Sequence, residues 1–328
     1  MRTSHRPFVF ESHDFERMCR FAVDDSAHGR HRFVWHVGRL VDWKYMLFEF
    51  RKCFPDNFSQ EAELWFDGFG DLIGFVLSDE FGPDLVFFAR PEWQCLLPDM
   101  IRWAKAHWGI RHDKLCVTTA EGHAALIAAL DAEGFSRTDG LERTYVFDTA
   151  RYREYVIPNP SVRLEDMRVN GDYDAHDAIR TDAWPKSQSV GQQREIRNYS
   201  RRSPIYDPGF DFVLLTEEPH ALPDTQKEDR EDGMRCCAAG GRAVSSCEAF
   251  IDRKNGTAEI ERVCTLHAEW GKGYARMMLL ACLRRIHEAG IPTAYITGGY
   301  DKTIHLYGDL GHVDAFDLHM YQWMSPRV

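Results

Sequence analysis

The chain of 328 residues carries 51 aspartates and glutamates against 40 lysines and arginines, which gives a formal net charge of −11 at pH 7. Hydrophobic residues make up 44% of it and charged residues 28%, a composition typical of globular proteins. The basic residues are dispersed, so the electrostatic pattern of a nucleic-acid-binding protein is missing. No apolar run reaches the length of about 18 residues that predicts a membrane span. The length predicts two domains of ordinary size.

Cysteine usage and the first residues of the chain predict a cytoplasmic protein. Residues 1–18 lack the apolar core of a signal peptide. The nine cysteines show no paired Cys-x-x-Cys spacing, which favours reduced thiols over a disulfide framework. Cys236 and Cys237 are adjacent, but no histidine or cysteine lies at zinc-ligand spacing from them, so no metal site is predicted.

The first 150 residues show the alternation of short helix and strand patterns that predicts a mixed α/β domain. Strands are predicted where β-branched and aromatic residues cluster between turn signals, and helices where apolar residues recur at i, i+3 and i+4. In chain order the predicted elements are a helix over Asp14–Val23, strands over Ala62–Phe66, Leu72–Leu77 and Asp84–Ala89, a helix over Pro98–Trp108, a strand over Lys114–Thr119, a helix over Gly122–Glu133 and a strand over Leu141–Phe147.

Residues 151–162 are charged and contain two prolines, and we predict that they link the first domain to a second one at 163–328. An acidic insert with almost no apolar content, Glu217–Gly233, indicates a solvated loop, with a regulatory segment as the alternative. The other elements predicted in this part are a strand over Val162–Met167, a helix over Asp172–Ala183, a polar segment of helical pattern over Gln188–Arg202, and strands over Phe210–Thr216 and Ala238–Ile251.

The most informative stretch is a strand, a glycine turn and a helix in succession. The strand pattern covers Glu259–Thr265, the turn contains Gly271 and Gly273, and the helix pattern covers Tyr274–Ala289. The first N–H groups of a helix have no internal partner and carry partial positive charge, and glycine lets a phosphate approach them closely. The pattern indicates an anion site, and a tight strand-to-helix connection that binds nothing is the alternative.

A second motif follows a predicted strand, Thr293–Thr297, and lies at the end of a short helical segment. Together the two motifs resemble those of the GCN5-related N-acetyltransferase (GNAT) family. The family's acyl-CoA loop, (Q/R)-x-x-G-x-(G/A), corresponds to Trp270–Ala275, and its later LYxxLGF segment corresponds to Leu306–His312.

Three positions depart from the family's pattern. Trp270 stands where the family has Gln or Arg, and His312 stands where the final aromatic residue is usual. The family often has an Asn at the start of the helix before the LY pair. This Asn is absent here, and Tyr300 and Asp301 occupy that part of the chain.

The resemblance implies an α/β (α+β) chain of two tandem GNAT-like domains, each with a mixed, mostly antiparallel central sheet flanked by helices. This layout is similar to that of mycothiol synthase. The order of strand, loop and helix around Gly271 recurs in the first domain. There it consists of the strand Asp84–Ala89, a short segment and the helix from Pro98. The segment Trp93–Leu97 holds no glycine, and Pro98 lacks an N–H, so we predict that residues 1–150 form a degenerate copy that is structural or helps to form the acceptor cleft.

For the second domain the resemblance implies acetyl-CoA, or another acyl-CoA, as co-substrate, and no metal. The family's strand end offers free backbone groups to the pantetheine arm, and its loop holds the pyrophosphate. The cofactor-binding residues implied in this way are Val263, Cys264, Thr265, Trp270, Gly271, Lys272, Gly273, Tyr274 and Ala275.

Two side chains are the candidates for catalytic proton transfer. The resemblance implies that Tyr307 lies against the coenzyme sulfur as general acid, and a phenol of pKa about 10 is protonated at neutral pH. A core aromatic residue is the alternative. Glu261, which shares a strand face with Glu259, is the candidate base if Cys264 packs inward, with a surface glutamate as the alternative. His267 is a rival base or a polar loop residue.

The sequence is thus interpreted as an acetyl-CoA-dependent N-acyltransferase that acts by direct transfer in its C-terminal domain. The predicted acceptor is a small-molecule amine, and no nucleic-acid or membrane partner is expected. The alternatives are a protein acceptor, O-acyl transfer and a non-catalytic acyl-CoA-binding sensor or scaffold. The identity of the acceptor and the oligomeric state do not follow from the sequence.

Overall fold

The computed structural model describes residues 2–27, 35–45, 60–79, 82–183, 198–199, 201–217 and 241–326. Its strands are β1 (Ser4–Pro7), β2 (Ala62–Phe66), β3 (Leu72–Asp79), β4 (Asp84–Ala89), β5 (Lys114–Ala120), β6 (Ser136–Asp148), β7 (Val162–Asp166), β8 (Asp211–Thr216), β9 (Arg242–Asp252), β10 (Thr257–Thr265), β11 (Thr293–Gly298) and β12 (Asp314–Met324). Its helices are α1 (Asp14–Ser26), α2 (Val37–Tyr45), α3 (Leu97–His107), α4 (Ala124–Ala132), α5 (Met167–Asn170), α6 (Tyr173–Ala183), α7 (Tyr274–Glu288) and α8 (Asp301–Gly308). In the parts of the chain that the structure describes, no helix is long and apolar enough to cross a membrane.

The observed elements agree with the sequence patterns at most positions, and each predicted strand overlaps an observed one. Helix α2 was not predicted: it has only nine residues, and the seven that are buried include the charged Asp42 and Lys44. Charged residues in buried positions weaken the contrast between an apolar and a polar face on which sequence patterns depend. Most of Gln188–Arg202, the acidic insert beyond Glu217, and Cys236 and Cys237 lie outside the described residues.

The described strands form one sheet in the order β1-β2-β3-β4-β5-β12-β6-β11-β10-β9-β8-β7. Neighbouring strands are antiparallel except at two places, where β4 runs parallel to β5 and β10 runs parallel to β11. Each parallel pair is connected through a helix, α3 in the first half and α7 in the second, as parallel strands require. The two parallel pairs mark the internal repeat that the sequence predicts.

Helices cover both faces of the sheet. In β3, Phe75 and Leu77 pack with α1 and α2 on one face, whereas Ile73 and Val76 pack with α3 and α4 on the other. In the second half, α7 and α8 pack on one face and α6 lies on the other. The mixed, mostly antiparallel sheet with flanking helices is the predicted fold class.

The two halves exchange strands at the centre of the sheet. Strand β12, from the end of the chain, lies between β5 and β6, and β6 lies between β12 and β11. Side chains reinforce this exchange: Arg143 of β6 pairs with Asp317 of β12 at 2.6 Å, and the hydroxyls of Thr144 and Thr297 are 2.9 Å apart. The sheet therefore continues without a break across the predicted boundary at residue 150.

The predicted linker is partly anchored. Tyr152 is buried in the core of the second half, and its hydroxyl donates to the carbonyl oxygens of Leu310 and Gly311 at 2.9 and 3.0 Å. Val156, a few residues later, is 72% exposed. Tyr152 thus anchors the start of 151–162, and most of the other side chains of this stretch are exposed.

Because β6 fills the space between β11 and β12, we expect a fragment of residues 151–328 to lack a central strand and not to fold alone. Expressed together with a fragment of residues 1–150, it should form a soluble complex that co-purifies and melts in one cooperative transition. Circular dichroism and size-exclusion chromatography measure both outcomes. A cooperative melt of the 151–328 fragment by itself would contradict this expectation.

Candidate active site

Strand β10 carries an irregularity at the point where the candidate site begins. It pairs with β11 only over Thr257–Glu259 and diverges beyond that point. Its register with β9 shifts between Glu261 and Cys264, and Arg262 adopts φ 51°. A non-glycine residue with positive φ inside a strand is a bulge that re-aims its neighbours, at a cost of about 1–3 kcal/mol. The bulge opens a gap between two parallel strands, and the backbone groups of β10 line one side of it.

The bulge also decides which side chains share a face. Glu261 pairs with Glu248 of β9 and Cys264 pairs with Ser246, and Glu248 and Ser246 are two residues apart on one strand. Glu261 and Cys264 therefore lie on the same face, although simple alternation places residues three apart on opposite faces. Cys264 is buried on that face against Ile179. The sequence-based placement of Glu261 opposite an inward-packing Cys264 is corrected by this register shift.

The loop between β10 and α7 presents unpaired backbone donors. Gly271 and Gly273 both have φ of 80°, and Gly273 is the N-cap of α7. Within the described residues, the N–H groups of Gly271, Gly273, Tyr274 and Ala275 make no hydrogen bond. A Cβ built at Gly271 would meet no atom within 4 Å. Open space beside free N–H groups at a helix N-terminus suits the two phosphates of a coenzyme A pyrophosphate.

The side chains of Trp270 and Lys272 in this loop make contacts with neighbouring residues. The Trp270 indole donates to the carbonyl oxygen of Thr265 at 2.9 Å, and its ring lies 4.3 Å from that of His267. Lys272 pairs with Glu269 at 2.8 Å. The tryptophan that departs from the family's pattern thus ties the loop to the end of β10.

Tyr307 lies in the interior, on α8. It is buried in the core of the second half, and burial raises the pKa of its phenol well above the ordinary value, with a further rise from the negative charge of Glu261. Its hydroxyl makes no hydrogen bond with the residues that the structure describes. The phenol remains protonated at neutral pH and is available as a donor.

Glu261 belongs to a group of charged side chains that crosses between the two halves of the chain. Arg39 of α2 lies 3.1 Å from Glu261 and 3.8 Å from Glu259, measured from Nε to carboxylate oxygens. Burial raises the pKa of both carboxyls, and Arg39 opposes the rise. Sequence analysis missed Arg39 because it missed α2, and the spacing of residues gives no other signal of a contact 222 positions apart.

A second part of this group surrounds Arg262. Its guanidinium donates to Glu248 at 2.8 Å and to Asp42 of α2. Burial raises the pKa of Glu248 to about 7, although Arg262 and Arg180 counteract the effect. Glu248 was not singled out from the sequence, where it is one glutamate in a β pattern, and only the pairing of β9 with β10 brings it beside Glu261.

The rival base, His267, occupies a different environment. It is half-exposed, and its Nδ1 lies 3.0 Å from Asp182 of α6. No group of three or more metal-ligating side chains occurs within the described residues. Glu261 lies within β10, two residues beyond its last pair with β11, whereas His267 follows the end of the strand.

The corresponding loop of the first half is closed. Pro91–Leu96 form a 3₁₀ helix that continues directly into α3, and Leu97 at that junction is fully buried. Pro98 follows within the first turn and lacks an N–H. This segment has no glycine turn, and its 3₁₀ helix runs straight into α3 instead of leaving a free helix N-terminus like that of α7.

Comparison with known proteins agrees with this geometry. Residues 198–312 match the model of the acetyltransferase (GNAT) family. A comparison with curated protein sequences found no match. Among solved structures, a tandem GNAT protein from the clavulanic acid biosynthesis pathway is 13% identical, with a TM-score of 0.62 and coverage of 100% of both chains.

Two further solved structures are similar over nearly the whole chain. A GCN5-related N-acetyltransferase from Sphaerobacter thermophilus is 14% identical, with a TM-score of 0.59 and coverage of 99% of this chain and 97% of its own. A GNAT-family acetyltransferase from Colwellia psychrerythraea is 11% identical, with a TM-score of 0.57 and coverage of 98% and 99%. At these identities the similarity shows the fold.

Residues 198–312, which hold the loop, β10 and Tyr307, thus match the acetyltransferase (GNAT) family, and the whole chain has the tandem GNAT fold. The resemblance and the fold class predicted from the sequence are confirmed. The family match supports an acetyl-CoA-dependent acetyltransferase.

If the loop holds a pyrophosphate, we expect Gly273→Ala to weaken acetyl-CoA binding at least tenfold, since a methyl group at φ 80° both strains the cap and narrows the cradle. Gly171→Ala is the matched control, because Gly171 also has positive φ, 66°, and open space around it, but lies at the end of α5. Both variants should lose about 1 kcal/mol of unfolding free energy in chemical denaturation. Calorimetry measures the acetyl-CoA affinity of both variants. If backbone strain alone weakens binding, Gly273→Ala and Gly171→Ala should lose the same affinity, which would contradict a pyrophosphate site at Gly273.

Proposed function

We propose that this protein transfers the acetyl group of acetyl-CoA directly to an amine of a small molecule, at a site in the C-terminal half of the chain. The observation that carries the proposal is the bulged end of β10, which brings a gap between parallel strands, a loop of free N–H groups and two proton-transfer candidates into one region. The N-terminal half, with its closed loop, is proposed to be a degenerate copy with its boundary near residue 150.

The proposed coenzyme site uses two backbone surfaces. Gly271, Gly273, Tyr274 and Ala275 offer N–H groups to the pyrophosphate, with Trp270 and Lys272 bracing the loop. Val263, Cys264 and Thr265 extend beyond the last pair with β11 and offer backbone groups to the pantetheine arm. Acetyl-CoA supplies the activated thioester when it is bound here.

Glu261 is the proposed general base and Tyr307 the proposed general acid. Glu261 accepts a proton from the acceptor amine, directly or through a water, as the nitrogen forms its bond to the thioester carbon. Tyr307 donates its phenolic proton to the sulfur as the carbon–sulfur bond breaks, so coenzyme A leaves as a thiol. The two groups are electrostatic neighbours, since the charge of Glu261 contributes to the raised pKa of Tyr307.

The acceptor side favours a small, cationic amine. Glu261 is 19% exposed and Glu259 is 2% exposed, with α2 covering this face of β10. A side chain enclosed to this degree leaves room for a small group rather than an extended peptide. The net charge of −11 attracts a cationic acceptor over longer range. The free thiols among the described cysteines support the proposal that the reaction takes place in the cytoplasm.

The test of the function is release of coenzyme A thiol from acetyl-CoA in the presence of a panel of small amines. We expect Tyr307→Phe to lower kcat at least about 100-fold while the Kd for acetyl-CoA stays within about twofold. Tyr145→Phe is the control, because Tyr145 is also buried, lies beside Tyr307 and donates its hydroxyl only to the carbonyl oxygen of Ile304. Equal turnover by wild type and Tyr307→Phe would instead support a sensor that binds acyl-CoA without catalysis.

The pH dependence of kcat/KM should identify the base. Burial raises the pKa of Glu261 above its ordinary value of 4.5, and the base acts only as a carboxylate, so kcat/KM should fall as pH falls through that raised pKa. Glu261→Gln should remove this acidic limb along with most of the activity. His267→Gln should leave the limb in place, and its loss in that variant would assign the base to His267.

A further inference from the structure

Helix α2 comes from the N-terminal half of the chain but lies on the active-site strands of the other half. It approaches β9 closely at Gly38, where a Cβ would lie 2.7 Å from the side chain of Phe250. Phe250 belongs to the same buried cluster as Leu40 and Val41. Apolar packing therefore fixes α2 over β9 and β10, whatever its charged side chains do.

Two charged residues of α2 then contact two consecutive residues of the bulge. Arg39 lies 3.1 Å from Glu261, and Asp42 accepts a hydrogen bond from Arg262. Arg39 and Asp42 are three residues apart and so project from one side of the helix. The contacts fall on the proposed base and on the residue whose left-handed backbone creates the bulge.

We propose that Arg39 is a positioning residue for Glu261: it holds this carboxylate charged and in place at the bulge, while Asp42 anchors the adjoining Arg262. The inference rests on the proposed function, in which Glu261 is the base. It gives the N-terminal half a direct part in the reaction, beyond completing the sheet.

The charges around Glu261 explain why a cation is needed there. Acidic neighbours outnumber basic ones on the elements packed against it. The charged and titratable groups around Glu261 and Glu259 are His36, Arg39, Asp42, Asp79, Glu142, Arg180, Glu248, Arg262 and Tyr307, and His36 Nδ1 lies 3.7 Å from Glu259. Arg39 is close to both carboxylates, so its removal would favour the protonated form of one of them.

Orientation is the second contribution of Arg39. Its side chain is 27% exposed, so the stem is held by the protein while the guanidinium faces Glu261 and Glu259 together. A carboxylate at a bulge has fewer backbone constraints than one within a regular strand, and a charged contact limits its rotamers. A lysine could preserve the charge, whereas a glutamine could not.

The experiment measures the ionisation of Glu261 itself in the full-length protein. Glutamate labelled with ¹³C at the side-chain carboxyl is followed by NMR from pH 4 to pH 9, and Glu261→Gln assigns the signal. We expect Arg39→Gln to raise the apparent pKa of Glu261 by about one unit or more and Arg39→Lys to restore it. Asp42→Asn should lower it, because the Asp42 carboxylate raises the pKa of Glu261. Shifts of opposite sign cannot come from general loosening.

Arg111→Gln is the matched control. Arg111 lies in the same half and is 35% exposed, and it pairs with the buried Glu61 at 2.8 Å, which is outside this charged group. The Arg111→Gln variant should lose a comparable ion pair, while the pKa of Glu261 stays unchanged. Acetyl-CoA affinity should stay within about twofold in Arg39→Gln, since the loop that holds the pyrophosphate is not touched.

Activity gives an independent readout. In Arg39→Gln, kcat/KM at pH 6.5 should fall about tenfold or more and recover as the pH rises through the new pKa of Glu261. An unchanged Glu261 titration in both Arg39→Gln and Asp42→Asn would overturn the inference. A titration that shifts as expected, in a protein that acetylates no amine, would keep the positioning role and reject the proposed function.

Discussion

The bulge at Arg262 is the constraint on which the rest of the site depends. A regular β10 would pair with β11 along its whole length and leave no gap between them. The positive φ of Arg262 ends that pairing after Glu259, brings Glu261 and Cys264 to one face, and leaves backbone groups without strand partners. A residue with strained backbone persists only when contacts with the surrounding structure hold it in that conformation. Here the surroundings are two carboxylates, Glu248 and Asp42, on separate elements.

The tandem arrangement is more than two domains side by side. Exchange of β6 and β12 makes each half of the sheet depend on a strand from the other, and α2 places two N-terminal side chains on the C-terminal bulge. The first half has no glycine loop like the one before α7, but its helix α2 and its strand β6 contact the elements that carry the candidate site. We therefore expect the first half to be required for activity even though it lacks this loop.

The electrostatics of the site follow from burial. Carboxylates on β9 and β10 lie in an environment that disfavours their charge, and three arginines from different elements compensate only in part. Burial therefore brings the pKa of such groups towards neutrality, where a general base is most useful. Burial acts in the same sense on Tyr307: it raises the pKa of the phenol, which therefore stays protonated at neutral pH. One enclosed region thus holds a candidate base and a candidate acid.

Local patterns in the sequence determined the strands, most helices, the glycine loop before α7 and the repeat of this order in both halves, because these depend on residues close together in the chain. They also led to Tyr307 as a candidate through the second family motif, and to Glu261 through the alternation of the strand before the glycine loop. What only the tertiary structure decided involves residues far apart: the exchange of β6 and β12, the bulge that turns Cys264 to the face of Glu261, and the approach of Arg39 to Glu261. Helix α2 escaped sequence analysis because it is only nine residues long and its buried positions include the charged Asp42 and Lys44. Its charged side chains acquire a role only when apolar packing sets them against the bulge, and that packing is a property of the folded chain.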